Sequence, residues 1–157
     1  MAARVNDGLA LAPVIVRDPW TGFDDAVRGL VRELVTADHL AAALADRAAH
    51  AVIEREAMAS TALVEIGVSI PHARLPGVNG IVAALAVSPA AVYYAHAQVP
   101  ITIMTLVLSS PSLSGEHLNF LSALSLLLQS EATRIALRNT ATAAQLFEYV
   151  SAHERFR

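Results

Sequence analysis

The stretch Gly67-Val68-Ser69-Ile70-Pro71-His72-Ala73-Arg74 decides how this chain is read. A short apolar run meets a proline, and a histidine follows at once. Pro71 fixes its own φ, carries no backbone donor and biases Ile70 toward an extended conformation. The reading is a strand over residues 66–70 that must end at Pro71, with His72 the first residue beyond it. A side chain at a strand end stands on a rigid element yet reaches solvent, which suits a reactive group. Arg74, two residues on, can bring a positive charge to the same place. Taken alone, the octapeptide reads more simply as a turn that happens to contain a histidine, so the rest of the chain has to decide.

Working outward, residues 80–87 and 101–108 are continuous apolar runs rich in valine, isoleucine and leucine. Such runs suit strands covered on both faces. Residues 92–94 form a further short extended piece, and residues 13–16 a short edge strand with proline only at its start. Residues 1–13 read as a loose tail, leaving 14–157 as one domain. A helix follows the turn at residues 18–22. Its apolar positions Val27, Leu30, Val31, Leu34 and Val35 share one face, and Asp24 and Asp25 sit in its first turn. A second helix is expected over residues 38–58, with Leu40, Leu44, Ala48, Ala51 and Val52 on one side, interrupted at Ser60-Thr61. After a loop at residues 111–115, residues 116–129 read as a helix apolar nearly all round and therefore deeply buried. Helices over 131–138 and 143–153 close the chain, with Leu146, Tyr149 and Val150 facing inward. The order is helices, strands, helices. A single α/β domain follows, with a central mixed sheet flanked by helices on both faces.

Composition narrows the function classes. The 157 residues are 55% hydrophobic and 16% charged, which argues for a packed core over disorder. A net charge of −3 without long runs of one sign gives no electrostatic footprint for nucleic acid. The chain has no cysteine, so disulfides, zinc–thiolate sites and thiol nucleophiles are excluded. The longest apolar runs are too short to span a bilayer, and the first residues lack a secretory pattern. A cytoplasmic protein without membrane insertion is expected. The apolar content leaves room for a homodimer without requiring one.

The candidate chemistry lies in histidine. Of His39, His50, His72, His96, His117 and His153, no pair shows a metal-binding spacing, and no phosphate-cradling glycine loop or nucleophile elbow is present. No metal or cofactor is expected. His39, His50 and His153 fall on helices among charged neighbours and read as solvated. His96 lies in a polar turn and reads as exposed. His117 opens the most apolar helix, where it reads either as a helix-start residue bonded to backbone or as a group pointing toward the sheet edge. Arg55-Glu56, near the end of the second helix, reads locally as a surface ion pair of small value.

Together these pieces fall in a definite order. Arg55-Glu56 precedes Ser60-Thr61, then comes Gly-Val-Ser-Ile-Pro-His-Ala-Arg at 67–74, a hydrophobic strand, Ser110-Pro111, and Glu116-His117-Leu118 opening an apolar helix. This order resembles the enzyme IIA domains of the phosphoenolpyruvate-dependent phosphotransferase system, in the fructose/mannitol and nitrogen-regulatory class. The resemblance runs from about Val14 to Val150. It implies that His72 accepts a phosphoryl group through Nε2 from phospho-HPr or its nitrogen-branch equivalent. It implies that His117 assists, that Arg55 supplies fixed positive charge with Arg74 as a second, and that Ser60 and Thr61 offer hydroxyls near the site. Glu65 would match a loop glutamate of some sugar-specific members. The group would pass to a IIB domain or act as a signal on a regulated protein. A nitrogen-regulatory role is expected ahead of a sugar-specific one, since the chain carries no IIB or membrane domain. The alternative is a non-catalytic binding module of the same fold that docks on a transporter or kinase. The segment 62–67, which departs from the family's glycine-rich loop, speaks for it.

Overall fold

The computed structural model of the protein describes residues 3–156; the remaining positions, including the first two of the expected tail, lie outside the described residues. The chain begins with strands β1 (Arg4–Asn6) and β2 (Leu9–Ile15), then helices α1 (Phe23–Thr36) and α2 (Ala45–Met58). Four short strands and one long one follow: β3 (Ala62–Leu63), β4 (Val68–Ser69), β5 (His72–Arg74), β6 (Ile81–Val87) and β7 (Tyr93–Tyr94). Strands β8 (Pro100–Ile101) and β9 (Ile103–Ser109) precede helices α3 (Ser114–Gln129), α4 (Glu131–Arg138) and α5 (Ala143–Ser151).

The main sheet has the order β1-β2-β6-β9-β4-β3, and β5 also pairs with β9. It is mixed: β2 runs parallel to β6, β6 antiparallel to β9, and β9 parallel to both β4 and β5. Strands β7 and β8 form a separate hairpin. The long central strands are buried on both faces, as their unbroken apolar runs require.

The alternation of a strand then sorts those residues into two cores. One face presents Ala10, Ala12, Ala84, Ala86, Met104 and Leu106 to α1 and α2. Its alanines let the two helices lie close. The other face presents Leu9, Leu11, Leu85, Val87, Ile103 and Val107 to Leu124, Leu128, Leu137, Leu146 and Val150 of α3, α4 and α5. A sheet between two helical layers results, as the pattern of elements implied.

Several local expectations are corrected. The described part of the expected tail, residues 3–13, is not loose: β2 is an inner strand, and Leu9, Ala10, Leu11 and Ala12 are buried. Pro13 lies beyond the β2 positions, Leu9 and Ala10, that register with β1. The second helix does not start at residue 38. Asp38 adopts φ 64°, which ends α1, and a 3-10 turn at Ala42–Leu44 precedes α2. His39 therefore lies in the link between helices, partly buried, its Nε2 3.3 Å from the Leu11 carbonyl. The first part of the expected 66–70 strand is instead a 3-10 turn, Val64–Ile66, closed by Gly67 at φ 67°. An added Cβ there would approach the Pro100 carbonyl oxygen to 3.1 Å. Helix α3 is less buried than its composition suggests, with Leu118 and Leu126 about half exposed at 57% and 48%.

β4 ends at Ser69, before Pro71 as expected, but pairing with β9 resumes at His72 in β5. Residues Val68 and Ser69 pair with Ile103 and Met104, and His72, Ala73 and Arg74 pair with Val107, Leu108 and Ser109. The offset to β9 is the same on both sides of the proline. Pro71 cannot donate, but its carbonyl accepts from the Val107 amide at 3.0 Å. The proline costs one hydrogen bond and leaves the register intact. His72 thus stands within an extended run and is held by the central strand.

Candidate active site

Strand alternation aims the site. Ala73 packs into the core under α2, so its neighbours His72 and Arg74 project to the opposite face, toward α3. There the first turn of α3 brings His117 against them. The two imidazole rings lie 5.5 Å apart between centroids, inclined at 56°. Arg55, from the last turn of α2, reaches the same place from the side. His72, Arg74, His117 and Arg55 line one open cleft of about 500 Å3. Glu54, Met58, Leu118 and Leu121 complete much of its rim.

His72 is half-buried, and its Nδ1 lies 2.8 Å from the carbonyl oxygen of Ile70. A carbonyl only accepts, so the neutral ring carries its proton on Nδ1 and keeps the Nε2 lone pair. Arg74 is exposed and donates from Nη1 to the Ser114 hydroxyl at 3.1 Å, tethering the strand to the start of α3. Arg55 donates from Nη1 to the Ala59 carbonyl at 3.3 Å.

His117 is buried except where it lines the cleft, with 2% exposure. Its Nδ1 lies 2.5 Å from the hydroxyl of Ser109, which is itself wholly buried. Burial, and after it the neighbouring His72 and Arg74, lower its pKa from 6.5 to about 4. At neutral pH the ring is uncharged. Two imidazoles beside two guanidiniums can receive a dianionic group: a ring-nitrogen lone pair can attack it, and donors surround its oxygens.

Three expected site residues stand elsewhere. Ser60 and Thr61 do not line the cleft. Glu56 holds them instead, accepting from the Ser60 hydroxyl at 3.0 Å and from the Thr61 amide and hydroxyl at 2.8 Å each. That carboxylate therefore closes the loop after α2 and forms no ion pair with Arg55. Ser60 opens on a separate depression with Phe23 and Tyr93. Glu65 is exposed on its 3-10 turn and is also outside the cleft. Ser109 was missed by sequence reasoning. The signal that could have found it is strand parity, because Ser109 is two residues after Val107 and registers with Arg74.

Comparison with known proteins resolves what this cleft belongs to. The family model described as "Phosphoenolpyruvate-dependent sugar phosphotransferase system, EIIA 2" matches residues 21–153. The chain belongs to this family. A search of curated protein sequences finds no match. Among solved structures, the IIA fold here is similar to nitrogen regulatory protein IIA-Ntr from Neisseria meningitidis. That match has TM-score 0.73 and 22% identity, over 90% of this chain and 95% of the other. It is also similar to IIA mannitol from Escherichia coli, with TM-score 0.66 and 15% identity over 87% and 94% of the two chains. The same fold occurs in the complex of Escherichia coli IIA mannitol with phosphorylated IIB mannitol, with TM-score 0.65 and 14% identity over 90% and 96%. The mixed α/β fold is that of the IIA proteins, and family membership supports a phosphotransfer function for the chain.

Proposed function

We propose that this IIA protein accepts a phosphoryl group on Nε2 of His72 from phospho-HPr or its nitrogen-branch equivalent. It then passes the group to a IIB domain or displays it as a signal to a regulated protein. The observation that carries the reading is the bond from His72 Nδ1 to the Ile70 carbonyl, which leaves Nε2 unprotonated beside two arginines and His117.

In the transfer, the Nε2 lone pair forms the new bond to phosphorus while the donor's bond to phosphorus breaks and its electron pair returns to the donor. No proton need leave His72 first, because Nε2 carries none. Positive charge develops on the ring as the bond forms, and the Nδ1–H bond to Ile70 becomes charge-assisted and stronger. Arg55 and Arg74 offset the negative charge on the equatorial oxygens. Similarity to a fold that occurs with a phosphorylated IIB partner supports a IIB domain as one acceptor.

The test is to incubate the protein with enzyme I, HPr and labelled phosphoenolpyruvate. Acid-labile, base-stable label should appear on the wild type and be absent from His72→Ala. A folded wild type that takes no label from a cognate carrier would leave the non-catalytic binding module as the better reading. Chasing the label with a purified IIB domain then separates onward transfer from a signalling role.

A further inference from the structure

The two histidines of the cleft are held by different kinds of partner. His72 Nδ1 faces a carbonyl, which can only accept. His117 Nδ1 faces the hydroxyl of Ser109, which can do either. The surroundings of that hydroxyl decide the direction. Ser109 is wholly buried at the end of the central strand, and among the described residues its Oγ makes no hydrogen bond other than the one to His117. If His117 donated from Nδ1, the Ser109 O–H would be buried without an acceptor, which is a costly state. If Ser109 donates, both groups are satisfied by one bond. The imidazole proton then sits on Nε2. Among the described residues that atom has no hydrogen-bond partner, yet it is not one of the sealed polar atoms without partners, which are His39 Nδ1, Ser69 Oγ and Thr105 Oγ1. It is open to the cleft.

We propose that Ser109 is a positioning residue that holds His117 in the Nε2–H tautomer, so that His117 serves as a neutral hydrogen-bond donor to the phosphoryl group on His72. The inference rests on the phosphotransfer reading for its purpose, but the tautomer itself can be tested without any transfer. The two rings are then complementary. His72 has its proton on Nδ1 and attacks through Nε2, while His117 has its proton on Nε2 and donates it toward the transferring oxygens. The opposite tautomer of His117 would aim a second lone pair at an anion. Strand β9 thus aligns both sides of the reaction: Val107 pairs with His72, and Ser109, two residues on, orients His117.

The decisive measurement is two-dimensional long-range proton–nitrogen NMR of the full-length, unphosphorylated protein labelled with nitrogen-15. His117 should show a pyrrole-type Nε2 and a pyridine-type Nδ1, and His72 the reverse pattern. A pyrrole-type Nδ1 on His117 would overturn the proposal whatever the activity. In Ser109→Ala, the His117 Nδ1 signal should move and a second tautomer should appear. Label uptake from phospho-HPr should slow on the order of tenfold, less than deleting a donor outright because the ring remains. Ser109→Thr, which keeps the hydroxyl, should retain the wild-type nitrogen pattern and most of the rate. An altered tautomer in Ser109→Ala with an unchanged rate would refute the role in transfer. If the wild type takes no label at all, the phosphotransfer reading fails, and the nitrogen pattern still decides the arrangement at Ser109.

Discussion

His117 is neutral for a physical reason that also makes it a liability in acid. The folded protein resists protonating it until about pH 4, whereas an unfolded chain takes up that proton near pH 6.5. Between those values the unfolded state binds more protons, so stability falls as pH is lowered through this window. The loss amounts to up to about 3 kcal/mol. Urea unfolding midpoints at pH 7, 5 and 4 measure it, and His117→Gln should flatten the acid limb. Parallel wild-type and variant curves would assign the acid sensitivity to other groups. Arg55 lies at the opposite extreme. Among the described residues its guanidinium makes one bond, to a carbonyl just past the end of α2, so Arg55→Ala should change stability by less than about 1 kcal/mol. The same change should slow phosphoryl acceptance by roughly 10- to 100-fold if the guanidinium faces the transferring group. A collapsed thermal transition in that variant would make the arginine structural.

At the scale of elements, α1 carries a close contact that its apolar pattern does not announce. A Cβ on Gly29 would lie 2.4 Å from the Trp20 ring, so the glycine lets the indole pack closely against the helix. Gly29→Ala should gain helix propensity yet lose more by displacing the ring, a net cost of about 1–3 kcal/mol. Trp20 is the one tryptophan in the chain, so its emission reports the displacement directly. A red shift with a lower melting temperature is the expected outcome, and an unchanged spectrum would show that the ring adapts in place. The final helices have ordinary stop and start chemistry. The Ser130 hydroxyl accepts from the Thr133 amide at 3.2 Å and caps α4. Ser130→Ala should cost about 1 kcal/mol in thermal stability without changing label uptake.

At the scale of the whole molecule, the N-terminal strands belong to the core. β2 pairs with β6 along seven residues, and Asn6 donates to the Phe156 carbonyl at 2.6 Å, joining the two ends of the chain. Deleting residues 1–13 should therefore abolish cooperative unfolding, as followed by circular dichroism on heating. A truncated protein that still melts sharply would return this segment to the status of a tail. Much of the fold was legible along the chain. The apolar runs at 80–87 and 101–108 and the helical face of Val27, Leu30, Val31 and Leu34 report local periodicity, which survives into the structure. The N-terminal strand was not legible, because Leu9–Ala12 acquire their burial from partners about seventy residues away.

The same division runs through the cleft. Sequence by itself determined which residues are candidates for the chemistry: Arg55, His72, Arg74 and His117 stand in a definite order, and Pro71 constrains its neighbours wherever it lies. The tertiary structure decided what those residues can do. Only the register on β9 shows that pairing resumes in step past Pro71, because the proline's carbonyl still finds a partner. Only folding reveals that Glu56 claims Ser60 and Thr61, and that a buried hydroxyl at Ser109 meets His117. Side-chain identity is local, whereas burial, proton position and charge compensation depend on groups that the chain brings together only when it packs.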